Sequence, residues 1–246
     1  MPEGVNNRSK VFLEIDGKVR NIRINSAQYP VMDIEMLEDM IQAVLSVLSL
    51  PEEGVTVIRS TDGDNFTMGF DASCQRIREE EYFREIISVT ATLGNLISTS
   101  RELFVTLISG TCLGIGLEIA LLSDYTYCTH GTMFGFPDIL FGMPFLALDP
   151  TRKIYGTQLQ KTILSGDLFG EEMARRLGII SGVIDDPESV YRIIPEINSF
   201  LNHRYKGIAM AGQGNYHAML PLLYDPGRIR LKQLEEHRAS LGRGSH

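Results

Sequence analysis

Tryptophan is absent from the 246-residue chain, and cysteine occurs only as Cys74, Cys112 and Cys128. An odd number of cysteines with no Cys-x-x-Cys excludes a disulfide framework and a thiolate zinc module, and fits a reducing, cytoplasmic setting. Positive charge is also short. Against 31 Asp and Glu stand 23 Lys and Arg, a net charge of −8, the wrong sign for a protein that holds nucleic acid by its phosphates. No phosphate-cradling G-x-x-x-x-G-K-[ST] and no G-x-S-x-G nucleophile elbow occurs. Gly114-Ile115-Gly116 lacks the third glycine of a dinucleotide fingerprint, because that position is Ile119. His130, His203, His217, His237 and His246 have no partner at metal-ligand spacing, so no metal site is expected. The first ten residues are polar where an export signal needs an apolar run. Leu103 to Ser123 holds one charge, Glu118, in 21 positions. Its glycines and its carboxylate speak for a buried strand, turn and helix rather than a membrane span.

What is present suits a layered globular fold. Apolar residues make up 43% and charged residues 22%, enough to build a core. Lys10 to Ile24 alternates around Asp16-Gly17 and predicts a hairpin whose two central residues take positive φ. Met32 to Leu50 carries apolar residues at helical spacing, with Asp33 as cap and Pro51 as stop. Strands follow at Val55 to Arg59, Leu103 to Ile108 and Tyr125 to Cys128, separated by a charged helix from Gln75 to Thr99 and a helix from Ile115 to Ser123. Strands alternating with helices predict parallel pairing in an α/β fold. Beyond Pro150 strands nearly vanish, and helices are expected over Pro150 to Leu164, Glu171 to Leu177, Pro187 to Arg204 and Asp225 to Leu241. The division expected is an α/β core over 1–186, a helical region over 187–241 and a tag remnant over 242–246.

Two stretches carry chemistry. A strand ending near Ser109 enters a turn at Gly110 to Gly114, and a helix begins whose first free N–H groups belong to Ile115 and Gly116. Such a terminus favours developing negative charge. The loop Asn65 to Asp71 follows the preceding strand and offers another main-chain N–H from the same sheet edge; two donors form an oxyanion hole. Glu118 lies in the first turn of that helix and Asp138 follows Pro137, so two carboxylates are expected to share a pocket. A plainer role stays open for each: Glu118 as a dipole-favoured helix carboxylate, Asp138 as a turn residue. Asp124 reads as a cap of the helix end or a tie to a strand start, Cys112 as a small buried hydrophobe, and Tyr82 and His130 as structural.

Leu113-Gly114-Ile115-Gly116-Leu117-Glu118-Ile119-Ala120, Ser123-Asp124 and Phe134-Gly135-Phe136-Pro137-Asp138-Ile139-Leu140-Phe141-Gly142 resemble the central signature of the crotonase, or enoyl-CoA hydratase/isomerase, superfamily. Phe66 to Asp71 matches its F-x-x-G-x-D loop, and Leu164 to Asp167 with Ala174 to Gly178 matches a later segment, so the likeness spans about Lys10 to Asp186. The resemblance implies a crotonase-like spiral of repeated ββα units with a helical C-terminal region. It implies acyl-CoA chemistry: an enolate held by the N–H groups of Phe70 and Ile115, with Glu118 and Asp138 as the catalytic carboxylates. Met68, Gly69, Gly114 and Phe145 are then substrate-binding positions. No cofactor is implied beyond the coenzyme A of the substrate or an acyl-carrier thioester, and a homo-trimer or hexamer is the expected assembly. Three departures stand out. Phe70 and Ile115 replace smaller residues and are expected to narrow the pocket. Asp138 replaces Glu, and the bulky run Met143 to Leu148 replaces a glycine-rich loop. Arg76 and Arg78 remain in reach of a CoA phosphate. Hydration of a 2-enoyl or dienoyl thioester leads the readings, ahead of double-bond isomerisation or decarboxylation and of a non-catalytic binding role.

Overall fold

A computed structural model describes residues 9–61, 63–71, 79–141 and 156–199. The chain opens with β1 (Val11–Asp16) and β2 (Val19–Ile24), an antiparallel hairpin in which Asp16 pairs with Val19. The turn residues are therefore Gly17 and Lys18, one position later than the sequence suggests, and only Gly17 takes positive φ, at 58°. Glycine at the first central position is enough to match the strand twist. Helix α1 (Ile34–Leu48) begins where expected, because the Asp33 Oδ1 accepts a hydrogen bond from the Met36 N–H at 2.9 Å. Its Met36, Leu37, Met40, Val44 and Val47 form one buried stripe.

From there the chain repeats one device. β3 (Val55–Ser60) is followed by β4 (Asn65–Thr67) and α2 (Glu80–Thr99), then β5 (Leu103–Ile108) by β6 (Thr111–Leu113) and α3 (Ile115–Leu122). β7 (Tyr125–Thr129) is followed by β8 (Met133–Gly135), a 3-10 turn at Pro137–Phe141 and, further on, α4 (Gly156–Ser165). The first strand of each unit enters a six-stranded sheet ordered β1-β2-β3-β5-β7-β10, and the second enters a four-stranded sheet ordered β4-β6-β8-β9. All pairs are parallel except β1 with β2 and β8 with β9. This is the expected spiral of ββα units. The stretch Gly110 to Gly114, read from sequence as a turn, contains β6. Three residues are too few to show a two-residue period.

β9 (Phe169–Gly170), α5 (Glu171–Arg176), β10 (Gly182–Ile184), a 3-10 turn at Pro187–Ser189 and α6 (Val190–Ser199) complete the described chain. The two short strands were not expected after Pro150; β10 pairs with β7 through three residues. The expected helix over Asp225 to Leu241, the outer parts of those begun at Gln75 and Pro150 and ended at Arg204, and the 242–246 remnant lie outside the described residues.

Every residue of β5 is buried, as a parallel strand covered on both faces requires. Phe104 and Ile108 join the main core with α1 to α3, while Leu103, Val105 and Leu107 join a second cluster with Val190 and Ile194 of α6. At the N-terminal ends of β2, β3 and β5 lies a buried ion pair, Arg20 to Glu102 at 3.2 Å, each side chain 3% exposed. Glu102 also accepts from the Gly54 N–H at 2.7 Å and the Thr56 hydroxyl at 2.8 Å. Among the described residues no helix is long and apolar enough to cross a membrane.

Candidate active site

β4, β6 and β8 are adjacent and parallel, so their carboxyl ends lie side by side. Ligands of open α/β sheets bind beyond such ends. Each strand delivers one expected group there: β4 leads to Phe70, β6 to Ile115 and β8 to Asp138.

The Phe70 segment is aimed by a parallel bridge to Met32. Met32 N–H donates to the Gly69 carbonyl at 2.8 Å, and its carbonyl accepts from the Asp71 N–H at 2.9 Å. In a parallel ladder this pattern turns the amide of the intervening residue to the opposite side. The Phe70 N–H thus faces away from Met32. Gly69, with φ of 97°, makes that bend.

The Ile115 segment is a helix start. Gly114 caps α3 with φ of 53°, and the first intrahelical bond runs from the Glu118 N–H to the Gly114 carbonyl at 3.2 Å. Ile115, Gly116 and Leu117 therefore carry the leading amides of the helix, which precede its hydrogen-bond ladder and sit at the positive end of its dipole. The Gly114 N–H is used separately, donating to the Gly135 carbonyl at 3.0 Å and tying β6 to β8.

Asp138 closes the group. Its carboxyl lies against both glycines: a Cβ added at Gly114 would stand 1.9 Å from Asp138 Oδ2, and one at Gly69 would stand 3.4 Å from the same atom. That hypothetical Gly114 Cβ would also be 3.2 Å from the Gly69 Cα, so the two bends touch. Oδ2 is buried without a hydrogen-bond partner. Burial pushes the Asp138 carboxyl up to about 6, against the opposing pull of its own backbone N–H. Glu118, 3% exposed, sits one turn into α3 and is the single charged residue of that helix.

The side chains of Phe70 and Ile115 are 5% and 6% exposed and belong to the main core. Phe70 packs on Tyr82 with ring centroids 6.4 Å apart. Both side chains are thus part of the core that backs the two bends. Met68 is 51% exposed beside this loop, Gly69 is buried, and Phe145, Arg76 and Arg78 lie outside the described residues.

The plainer readings also find their places. The Asp124 carboxylate accepts from the Phe104 N–H at 2.9 Å, tying a strand start. Cys112 is fully buried, and burial pushes its thiol well up, away from nucleophilic use. His130 is exposed beside Glu171 and Asp185. Among the described residues no group of His, Cys, Asp and Glu is placed to hold a metal ion. One residue escaped the sequence reading. Thr67 is 1% exposed, and its hydroxyl accepts from the Gly69 N–H at 3.1 Å. The signal available was a threonine two positions before a glycine, the pattern of a hydroxyl-closed turn.

Two main-chain bends and a buried carboxyl thus meet at the carboxyl ends of three strands. The family model for enoyl-CoA hydratase/isomerase matches residues 14–212, and the chain belongs to that family. A cyclohexa-1,5-dienecarbonyl-CoA hydratase of Thauera aromatica is 25% identical over 182 residues, covering 73% of this chain and 69% of that protein. A fatty acid oxidation complex subunit alpha of Vibrio cholerae is 27% identical over 151 residues, covering 54% of this chain and 20% of that longer protein. The crystal structure of an enoyl-CoA hydratase from Bacillus halodurans superposes with a TM-score of 0.74 at 20% identity, covering 89% of this chain and 92% of that one.

Proposed function

We propose that the protein is an acyl-CoA lyase that adds water to, or removes it from, a 2-enoyl or dienoyl thioester through an enolate. The observation that carries this reading is the Asp138 carboxyl, buried and pushed up to about 6, with an unpartnered oxygen lying on both glycine bends. A proton donor whose pKa is near working pH suits carbon protonation. In the hydration direction the thioester oxygen accepts hydrogen bonds from the Phe70 and Ile115 amides. Glu118 takes a proton from water, whose oxygen bonds to the β-carbon. The double-bond electrons move onto the thioester oxygen, and Asp138 then delivers its proton to the α-carbon as the carbonyl re-forms. Each amide contributes on the order of 3 kcal/mol, because the charge it meets appears only during reaction. Exposed Met68, with Gly69, Gly114 and Phe145, would line the acyl or pantetheine path. Coenzyme A enters as part of the substrate, and no further cofactor is required.

Purified protein incubated with crotonyl-CoA and dienoyl-CoA thioesters should bleach the conjugated-thioester absorbance. If no enoyl or dienoyl thioester is consumed, the hydratase reading fails. Isomerisation or decarboxylation of an acyl thioester is the second reading, favoured by the short arm of Asp138. It is one methylene, about 1.5 Å, shorter than Glu, where catalytic geometry tolerates about 0.5 Å. A non-catalytic binding role takes its motive from the bulk of Phe70, Ile115 and Phe145, of which the first two are buried in the core and the third lies outside the described residues. Assembly into homo-trimers or hexamers belongs to the same proposal and is checked by sedimentation equilibrium.

A further inference from the structure

Thr67 is, besides Asp138, a side chain that reaches both bends. Its hydroxyl oxygen accepts the Gly69 N–H at 3.1 Å. Its single proton goes to the Pro30 carbonyl at 3.3 Å or the Gly69 carbonyl at 3.4 Å. Those contacts fix the bend immediately before Phe70, whose outer side is held by Met68 N–H donating to Pro30 at 2.7 Å and by the Met32 bridge. The other branch of the same side chain lies beside Gly116. A Cβ added at Gly116 would stand 2.3 Å from the Thr67 Cγ2, so the methyl occupies the space a side chain at 116 would need and abuts the first turn of α3. Thr67 is 1% exposed and pairs with Cys112 across β4 and β6, leaving it no freedom to serve solvent.

We infer that Thr67 is a positioning residue for the oxyanion hole: its hydroxyl orients the Phe70 amide, while its methyl only fills the space beside Gly116. The inference rests on the thioester reading given above. The two halves of the side chain separate by substitution. Thr67→Val keeps a methyl toward Gly116 and removes the hydroxyl, leaving the Gly69 N–H without its acceptor; Thr67→Ser keeps the hydroxyl and removes the methyl.

The test uses the full chain and the thioester from the enoyl- and dienoyl-CoA panel that wild type turns over best. Thr67→Val is expected to lower kcat about 10- to 100-fold while KM moves less than about threefold, because a misaimed donor is missed chiefly in the transition state. Thr67→Ser is expected to retain kcat within about threefold. Difference infrared spectra of a bound, unreactive saturated acyl-CoA supply a readout that a purely structural role leaves unmoved. The thioester carbonyl stretch should lie lower in wild type and in Thr67→Ser than in free solution, and return toward the free value in Thr67→Val. Thr67→Ala replaces the valine variant if the latter does not fold. An active wild type whose hydroxyl-less variants keep both kcat and carbonyl shift overturns the role of Thr67 and leaves the thioester reading standing. A wild type that neither turns over nor binds any of these thioesters overturns both.

Discussion

At the scale of single residues the site is governed by two glycines and two carboxylates. Gly114 combines φ of 53° with a side-chain direction blocked by Asp138 Oδ2 at 1.9 Å. Gly114→Ala should therefore lose about 1–3 kcal/mol in chemical denaturation and at least about tenfold in kcat, since the strain and the clash fall on one atom pair. Glu118→Gln should lower kcat about 100-fold or more with the fold intact, as removal of a general base does. Asp138 makes a prediction of opposite sign for stability. Its pKa is raised from 3.8 to about 6 in the fold, so the folded state holds the proton more tightly than the unfolded chain. The resulting penalty is absent below about pH 4, grows between about 4 and 6, and reaches about 3 kcal/mol above that. Asp138→Asn should raise the unfolding midpoint at pH 7, leave it unchanged near pH 3.5, and abolish hydration. In the wild type, kcat/KM for hydration should fall about tenfold per pH unit above 6, the pKa of the group that must start protonated. Glu118, Asp138, Phe70 and Ile115 could be singled out as candidates because each sits in a dense local motif. Thr67 could not, because its importance comes from contacts with Pro30, Gly69 and Gly116 that only folding assembles.

At the scale of elements, the long pieces could be read and the short ones could not. α1 announced itself by its apolar stripe and Asp33 cap, and β5 by an unbroken apolar run. β4, β6, β8 and β10 have three residues each and β9 has two, too few for any period to emerge, yet the first three position every candidate catalytic group. Their existence is decided by pairing with neighbours distant in sequence rather than by local propensity. The opposite end of the large sheet offers a control. The Arg20–Glu102 pair lies where β2 and β5 begin, at the far end of these strands from the bends. Glu102→Ala leaves a buried guanidinium unpaired and should cost about 3–5 kcal/mol in urea denaturation. The kcat of the folded fraction should stay within about twofold, because no candidate catalytic group is carried at that end.

At the scale of the whole molecule, charge and edges matter more than any contact. A net charge of −8 meets a coenzyme that is itself a polyanion, so long-range repulsion should slow encounter. Raising salt from about 10 to 200 mM should increase kcat/KM for an acyl-CoA, an effect absent for a short N-acetylcysteamine thioester that carries no phosphate. The α/β class was legible because the alternation of strand and helix survives averaging over the entire chain, whereas the ββα spiral came from the likeness of the central motifs to the crotonase superfamily. The partition into two sheets was not legible, since it depends on where each short second strand finds its neighbour. Among the described residues, the rims of the large sheet are poor templates for a foreign strand. β10 offers only three ladder positions, and β1 carries Glu14 and Asp16 along its length. Lateral growth into fibrils is thereby discouraged at both borders, and a concentrated solution of the folded protein should remain free of cross-β aggregates.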